Sequence, residues 1–335
     1  MPAPVPDTLS FLTEVCARRG WRLSVLDEHS GYLAAVSDGR AEFLTGAGAV
    51  CAYPLNGATA ATIANDKAHT ALLARRAGLR VPRGEHFFVT PRYRGVRGPG
   101  REIHDAVRYA ADLGFPVFVK PNAGSRGAFA DVAYDANDLI HQCAAMAAQH
   151  PVALVQEVVA GPEYRILVLD GDVPFLYRRT GSVLTGDGRS TVAQLLAAVN
   201  RRLEEDGLPP IALDGPFLTR ALATAGLAAD GVPETGRTVE YAARRNVSGG
   251  GGVGEFRDAV PPAVTDYARR AAAAVGLRLC GIDVIAANGL DPDGFTLLEI
   301  NANPGLGGVA RAGHRAAVLD LWERIADTWF AGARP

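Results

Sequence analysis

The sequence predicts an α+β (α/β) protein in which two α+β lobes face each other across one cleft, preceded by a small α/β lobe. Two observations lead to that class. Strand-like and helical runs alternate from His86 to about Val159, and a second such set runs from Tyr164 to the end. Length agrees, since 335 residues suffice for two or three compact lobes but not for several independent enzymes. The lobes are expected at 1–62, 63–160 and 161–335.

After a Pro-rich start, 8–18 reads as a helix and 21–26 (WRLSVL) as a strand, with short strand-like runs at 32–36 and 41–44. Residues 58–77 have helical composition broken only by turn-like residues. The stretch 78–84 (GLRVPRG) ends them with a Gly stop and a Pro. The second lobe then reads strand, helix (102–113), strand (116–120), Gly-rich turn, strand (129–134), helix (138–149) and strand (153–159). In the third, strands are expected at 164–169, 173–177, 279–286 and 295–301, and helices at 191–205, 261–275 and 316–330. Segments 93–100 and 248–254 read as loops.

Composition narrows the function. The chain is 48% hydrophobic and 21% charged, an ordinary globular balance, and its net charge of −2 gives no footprint for nucleic acid or a membrane. Neither a secretory signal nor an apolar span long enough for a bilayer is present, so a cytoplasmic location is expected. Cys16, Cys51, Cys143 and Cys280 stand far apart and read as buried free thiols.

The sharpest chemical signal lies in the last two strands, GIDV at 281–284 and LLEINANPG at 297–305. Glu299 and Asn301 are two residues apart, so in a strand they leave the same face. An antiparallel pairing would bring Asp283 beside them. Hard oxygen donors without Cys or His suit Mg²⁺, which takes its remaining ligands from water and substrate phosphates. The alternative is that Asp283 and Glu299 make salt bridges and Asn301 caps a turn. A second signal is the apolar strand delivering Lys120, followed by Gly124, Ser125, Arg126 and Gly127. Such a lysine and loop would contact phosphates, although a plain Gly-rich hairpin reads the same way.

Gln156, Glu157, Val158 and Val159, followed by Gly161 and Glu163, have the character of an interlobe hinge. Its backbone would meet adenine and Glu163 the ribose hydroxyls; an edge strand and turn would look similar. A basic set, Lys67, Arg165, Arg178, Arg179 and Arg245, accompanies the acids. Of Arg178 and Arg179, at most one faces the cleft, and Arg178 is taken as that one. Arg245 precedes a Gly-rich run whose amides would hold a carboxylate or an oxyanion; a flexible loop is the alternative.

Taken in order, these motifs resemble the ATP-grasp superfamily, most closely the ATP-grasp module of cyanophycin synthetases and bifunctional glutathione synthetases. The resemblance runs from about Gly39 to Arg311. It rests on Asn65-Asp66-Lys67, the lysine strand and loop at 116–127, and QEVV at 156–159 with Glu163-Tyr164-Arg165. Gly186-Asp187-Gly188, Arg244-Arg245-Asn246, and the GID and EINANPG strands complete it. It implies the ATP-grasp fold, ATP as nucleotide, and two Mg²⁺ ions, with Mn²⁺ as a substitute, held by Asp283, Glu299 and Asn301. Lys67 and Lys120 would touch phosphates, with 124–127 the phosphate loop, and 156–159 and Glu163 would hold the nucleoside. Arg245, with Arg165 and Arg178, would steady an acyl phosphate.

The implied reaction joins a small-molecule carboxylate to an amine, both amino acids or short peptides, and releases ADP and phosphate. A place in specialised metabolism is one expectation. Alternatives are an ATP-grasp kinase and a non-catalytic ATP-binding regulator. Dimers and tetramers are common among proteins of this kind, so a homo-oligomer is among the expected states. The relatives carry the module fused to a second enzyme, so this chain is expected to act alone or with separate proteins. The SGGGGVGE loop at 248–255 departs from their usual Ser-Thr-Gly-Gly run.

Overall fold

The computed structural model describes residues 6–47, 51–92, 94–124, 127–205, 209–242 and 251–332. Helix α1 (Asp7–Arg19) leads into an antiparallel three-stranded sheet of β1 (Arg22–Val25), β2 (Leu33–Ser37) and β3 (Glu42–Gly46). This small lobe does not close a core alone. Phe11, Leu12 and Val15 of α1 and Phe43 of β3 share one with Trp322, Ile325 and Phe330 of the C-terminal helix.

Helices α2 (Ala58–Asn65) and α3 (Lys67–Arg76) are split at Asp66, whose carboxylate caps α3 by accepting from the His69 N–H. The sequence-based boundary placed residues from 63 onward in the second lobe. The structure instead packs Ala64, Ala74 and Leu79 with Ile166, Ile282 and Ile300 of the third. The second lobe proper holds β4 (Gly84–Phe88), α4 (Arg94–Arg97), α5 (Ile103–Leu113), β5 (Val117–Pro121), β6 (Asp131–Ala133), α6 (Ala136–Ala147) and β7 (Val152–Glu157). Its sheet is antiparallel in the order β4-β7-β5-β6. Val117, Val119 and Val155 pack there against Ala106 and Ala110 of α5 and Leu139 and Met146 of α6.

The third lobe comprises β8 (Glu163–Leu169), β9 (Leu176–Thr180), β10 (Ser182–Thr185), α7 (Val192–Glu205), α8 (Pro216–Thr224), β11 (Thr238–Ala242), β12 (Gly252–Arg257), α9 (Pro262–Val275), β13 (Leu279–Ala286), β14 (Phe295–Asn301), α10 (Gly307–Val309) and α11 (Arg315–Gly332). Five strands form an antiparallel sheet in the order β12-β9-β8-β13-β14, with α9 against one face and α11 against the other. The β10-β11 pair, α7 and α8 make a satellite around Leu184, Leu196, Leu218 and Tyr241.

Four expectations are corrected. The strand expected at 173–177 lies at Leu176–Thr180, because Pro174 has no N–H for a ladder. Residues 252–254, read as loop, belong to β12, a half-exposed edge strand whose glycines carry no strand signal. The loop at 93–100 holds the helical turn α4. Three cysteines are buried free thiols as expected, but Cys51 is exposed. No described helix is long and apolar enough to cross a membrane.

Candidate active site

A cleft of about 1780 Å³ runs between the four-stranded and five-stranded sheets, and β-register decides what lines it. Asp283 on β13 pairs with Arg165 of β8 on one side and Glu299 of β14 on the other. Arg165 in turn pairs with Tyr177 of β9. Side chains opposite one another in a sheet share a face, so Tyr177, Arg165, Asp283 and Glu299 form one row. Glu163 and Arg179 pair at the next level, and Asn301 stands opposite Gly281. Asp283, Glu299 and Asn301 therefore all line the cleft from one face of the β13-β14 pair.

The two carboxylates of the row differ in environment. Asp283 is 1% exposed and held by two guanidinium groups. Arg165 forks onto it through Nε and Nη2, the latter at 2.6 Å, and Arg179 Nη1 lies 3.1 Å away. Burial works to lower the Arg165 pKa, but Asp283 outweighs it and pushes the pKa up. A Cβ on Gly281 would sit 2.8 Å from Arg165 Cδ and Nη1, so only glycine lets the guanidinium cross β13. Arg179 also donates to Glu163 at 2.8 Å, yet burial keeps the Glu163 carboxyl above the usual carboxylate range.

Glu299 faces lysines instead. Lys67 Nζ lies 3.9 Å from its Oε2 and donates to the Gly124 carbonyl at 2.9 Å. Burial works to raise the Glu299 carboxyl, but Lys67 and Lys120, then Arg165 and Arg179, hold it at about 2. Lys120, 8% exposed on β5, is pushed down to about 8 by burial, with Glu299 acting in the other direction. The loop after β5 is tied to the start of α3, because the Asn122 carbonyl and Oδ1 accept from the Lys67 and Ala68 N–H groups at 3.0 and 2.9 Å.

At the hinge, Gln156 and Glu157 end β7, and Val158, Val159 and Glu163 also line the cleft. The Glu157 carboxylate accepts from the Arg83 N–H at 2.9 Å and its Nε at 2.7 Å. Gly161 follows at φ 136°, where a Cβ would strike Ile285 Cγ2 at 2.7 Å.

Among the expected cations, Arg178 is a correction. It pairs opposite Tyr164 on the other face of the sheet and is exposed, whereas Arg179 enters the cleft. Gly124 and Gly127 line the cleft; Ser125, Arg126 and Arg245 lie outside the described residues.

Among the described residues, no three His, Cys, Asp or Glu side chains group as a metal centre. The donors present are oxygens. Glu299 is ionised with no guanidinium fork on it, and Asn301 Oδ1 accepts only the Asn303 N–H in the hydrogen bonds described, at 2.9 Å, leaving a lone pair. Both fit a hard divalent ion. Asp283 fits less well, since both its oxygens are already engaged.

Comparison with known proteins bears on the fold. The family model for the carbamoyl-phosphate synthase L chain, ATP binding domain, matches residues 88–163. The crystal structure of a bifunctional glutathione synthetase from Pasteurella multocida aligns with a TM-score of 0.51 and 22% identity, covering 89% of this chain and 40% of that one. This is an ATP-grasp fold. Cyanophycin synthetase of Geminocystis herdmanii is 30% identical to this chain over 260 residues, 72% of the chain and 28% of the relative. The glutathione biosynthesis bifunctional protein GshAB of Desulfotalea psychrophila is 25% identical over 307 residues, 88% and 37% respectively. The chain thus spans well under half of the length of these curated relatives.

Sequence reasoning named Arg179 but took Arg178 for the cleft, and it missed Tyr53, which lines the cleft from the small lobe, and Asn56, which donates to the Ala302 carbonyl there. Arg179 was one strand parity away. Tyr53 and Asn56 carried no local signal.

Proposed function

We propose that this chain is an ATP-dependent carboxylate–amine ligase that forms an amide bond through an acyl phosphate and releases ADP and phosphate. The observation that carries the reading is the meeting of Lys67 and Lys120 with Glu299 across the cleft, beside Asn301. Cations for phosphate oxygens and oxygen donors for a divalent ion face one another there, which is the arrangement phosphoryl transfer needs. When bound, MgATP supplies the phosphoryl group and the charge screening.

The chain's own residues supply position and field. Lys120 and Lys67 neutralise phosphate charge, while Glu299 and Asn301 hold the metal. The 156–159 backbone and Glu163 orient the nucleoside. Arg165 and Arg179, fixed by Asp283, present cations where an acyl phosphate and the following tetrahedral oxyanion would develop negative charge. Asp283 serves chiefly to fix those cations. Arg245 is proposed to steady the acyl phosphate, and the 124–127 segment to contact the nucleotide phosphates, as the resemblance implies. The substrates proposed are amino acids or short peptides, the cytoplasm is the proposed location, and two Mg²⁺ ions are the proposed metal content.

The test is ADP and phosphate release with MgATP over a matrix of amino acids and dipeptides, with products read by mass. Phosphate release only when an acid and an amine are both present, with a product one water lighter than their sum, supports the ligase. ADP without phosphate would identify a kinase instead.

A further inference from the structure

Three residues of the small lobe reach across to the strand ends that carry the proposed metal site. The Tyr53 hydroxyl donates to the Pro304 carbonyl at 2.6 Å, and its ring stacks on Trp322 with centroids 4.9 Å apart. The Ala52 N–H donates to Asn303 Oδ1 at 3.2 Å. Asn56 Nδ2 donates to the Leu279 and Ala302 carbonyls at 2.7 and 3.2 Å, and its Oδ1 accepts from the Arg278 and Leu279 N–H groups at 3.0 Å each. The segment thus grips the start of β13 and the turn leaving β14. The Asn303 N–H in that turn donates to Asn301 Oδ1 at 2.9 Å.

That last bond fixes the orientation of the Asn301 amide. A backbone N–H can be met only by the oxygen, so the turn at 302–304 selects the rotamer in which Oδ1 rather than the NH₂ group meets the Asn303 N–H. A turn free to rotate would let the amide flip. We infer that Tyr53 and Asn303 are positioning residues: through the 302–304 turn, the small lobe sets the Asn301 oxygen for a divalent cation bound with nucleotide. The inference rests on the proposed metal role of Asn301. It also gives the small lobe a task beyond packing, because Tyr53 is 5% exposed and its hydroxyl bond goes to the turn itself.

Tyr53→Phe removes one hydroxyl and keeps the ring on Trp322; Asn303→Ala removes the acceptor of the Ala52 N–H at an exposed position. The probe is Mn²⁺ titrated into full-length protein with ADP, with free Mn²⁺ followed by electron paramagnetic resonance. Loss of a supporting contact around a metal ligand weakens metal affinity by roughly 10-fold or more. Each variant is expected to lose Mn²⁺ affinity by about that factor, with ADP affinity in metal-free buffer unchanged. Turnover should fall in kcat, with KM for ATP unchanged at saturating Mg²⁺.

Mn²⁺ affinity equal to wild type in both variants overturns the inference. So does a parallel loss of metal-free ADP affinity, which would indicate general loosening, and so does a wild-type protein that takes up no Mn²⁺ with ADP. If Tyr53→Phe does not fold, Asn303→Ala carries the same test. A wild type that binds Mn²⁺ with ADP and releases no phosphate with any acid–amine pair refutes the ligase and leaves this inference standing.

Discussion

Arg165 and Asp283 form a buried fork-to-fork ion pair across the β8-β13 pairing, with Nη2 2.6 Å from Oδ2 and Nε donating to Oδ1. Glu299, one strand further on, faces Lys67 at 3.9 Å instead. One rung of sheet therefore holds two carboxylates in different states, one bound to fixed cations and one turned toward the cations of the phosphate side.

Removing the fork tests the first state. Arg165→Ala leaves the Asp283 carboxylate in a site 1% exposed, with Arg179 as its remaining cation. Breaking a buried pair from one side costs about 3–5 kcal/mol. Urea unfolding should show a loss of that order, and an unchanged midpoint would refute the structural role given to the pair.

The faces of β9 give a second prediction. Arg179→Met should lower kcat by roughly 10²-fold, the order seen when one fixed charge-stabilising donor is lost. Arg178→Met should stay within twofold of wild type, because Arg178 projects from the opposite face. The reverse ranking in steady-state assays would show that the strand is inverted relative to the cleft.

Glu299 predicts both an activity and a pH dependence. Glu299→Gln should abolish ADP formation with folding intact, as read by circular dichroism. With its folded pKa depressed to about 2, Glu299 adds stability that is fully present above its unfolded value near 4.5. That stability is lost as pH falls from there toward about 2. Urea midpoints for Glu299→Gln should therefore depend less on pH between 5 and 3 than those of wild type.

Lys120 works with the opposite sign. Burial lowers its folded pKa to about 8, below the unfolded value near 10.5. Its charged form is thus destabilising below pH 8, and stability contributed at this position rises between pH 8 and 10.5. Phosphate binding needs the ammonium, so ATP affinity should fall as pH rises above 8, a step that Lys120→Ala removes. Calorimetric titrations at pH 7 and 9 check this, and equal pH dependence in both proteins would refute the clamp.

The core strands were legible because burial on both faces writes itself into composition. LCGIDVIA and FTLLEIN match β13 and β14 residue for residue, and their pairing brings Asp283 opposite Glu299. The period of a strand shows that Arg178 and Arg179 diverge, but which one meets the cleft depends on packing elsewhere, here on Leu176 joining the core against α9. The satellite helix α8 and the edge strand β12 were missed for a related reason. Their order comes from partners distant in sequence, with Gly252 and Gly254 contributing no strand preference of their own. The Tyr53 contact joins residues 251 apart and left no periodic trace.

The most direct test of the central claim follows oxygen. With the acid substrate labelled by ¹⁸O at both carboxylate oxygens, an acyl phosphate carries one labelled oxygen in its bridge. Amine attack then expels phosphate bearing that atom. Mass analysis of the released phosphate should find one ¹⁸O per molecule, whereas unlabelled phosphate would show that no carboxylate was activated and would contradict the ligase reading.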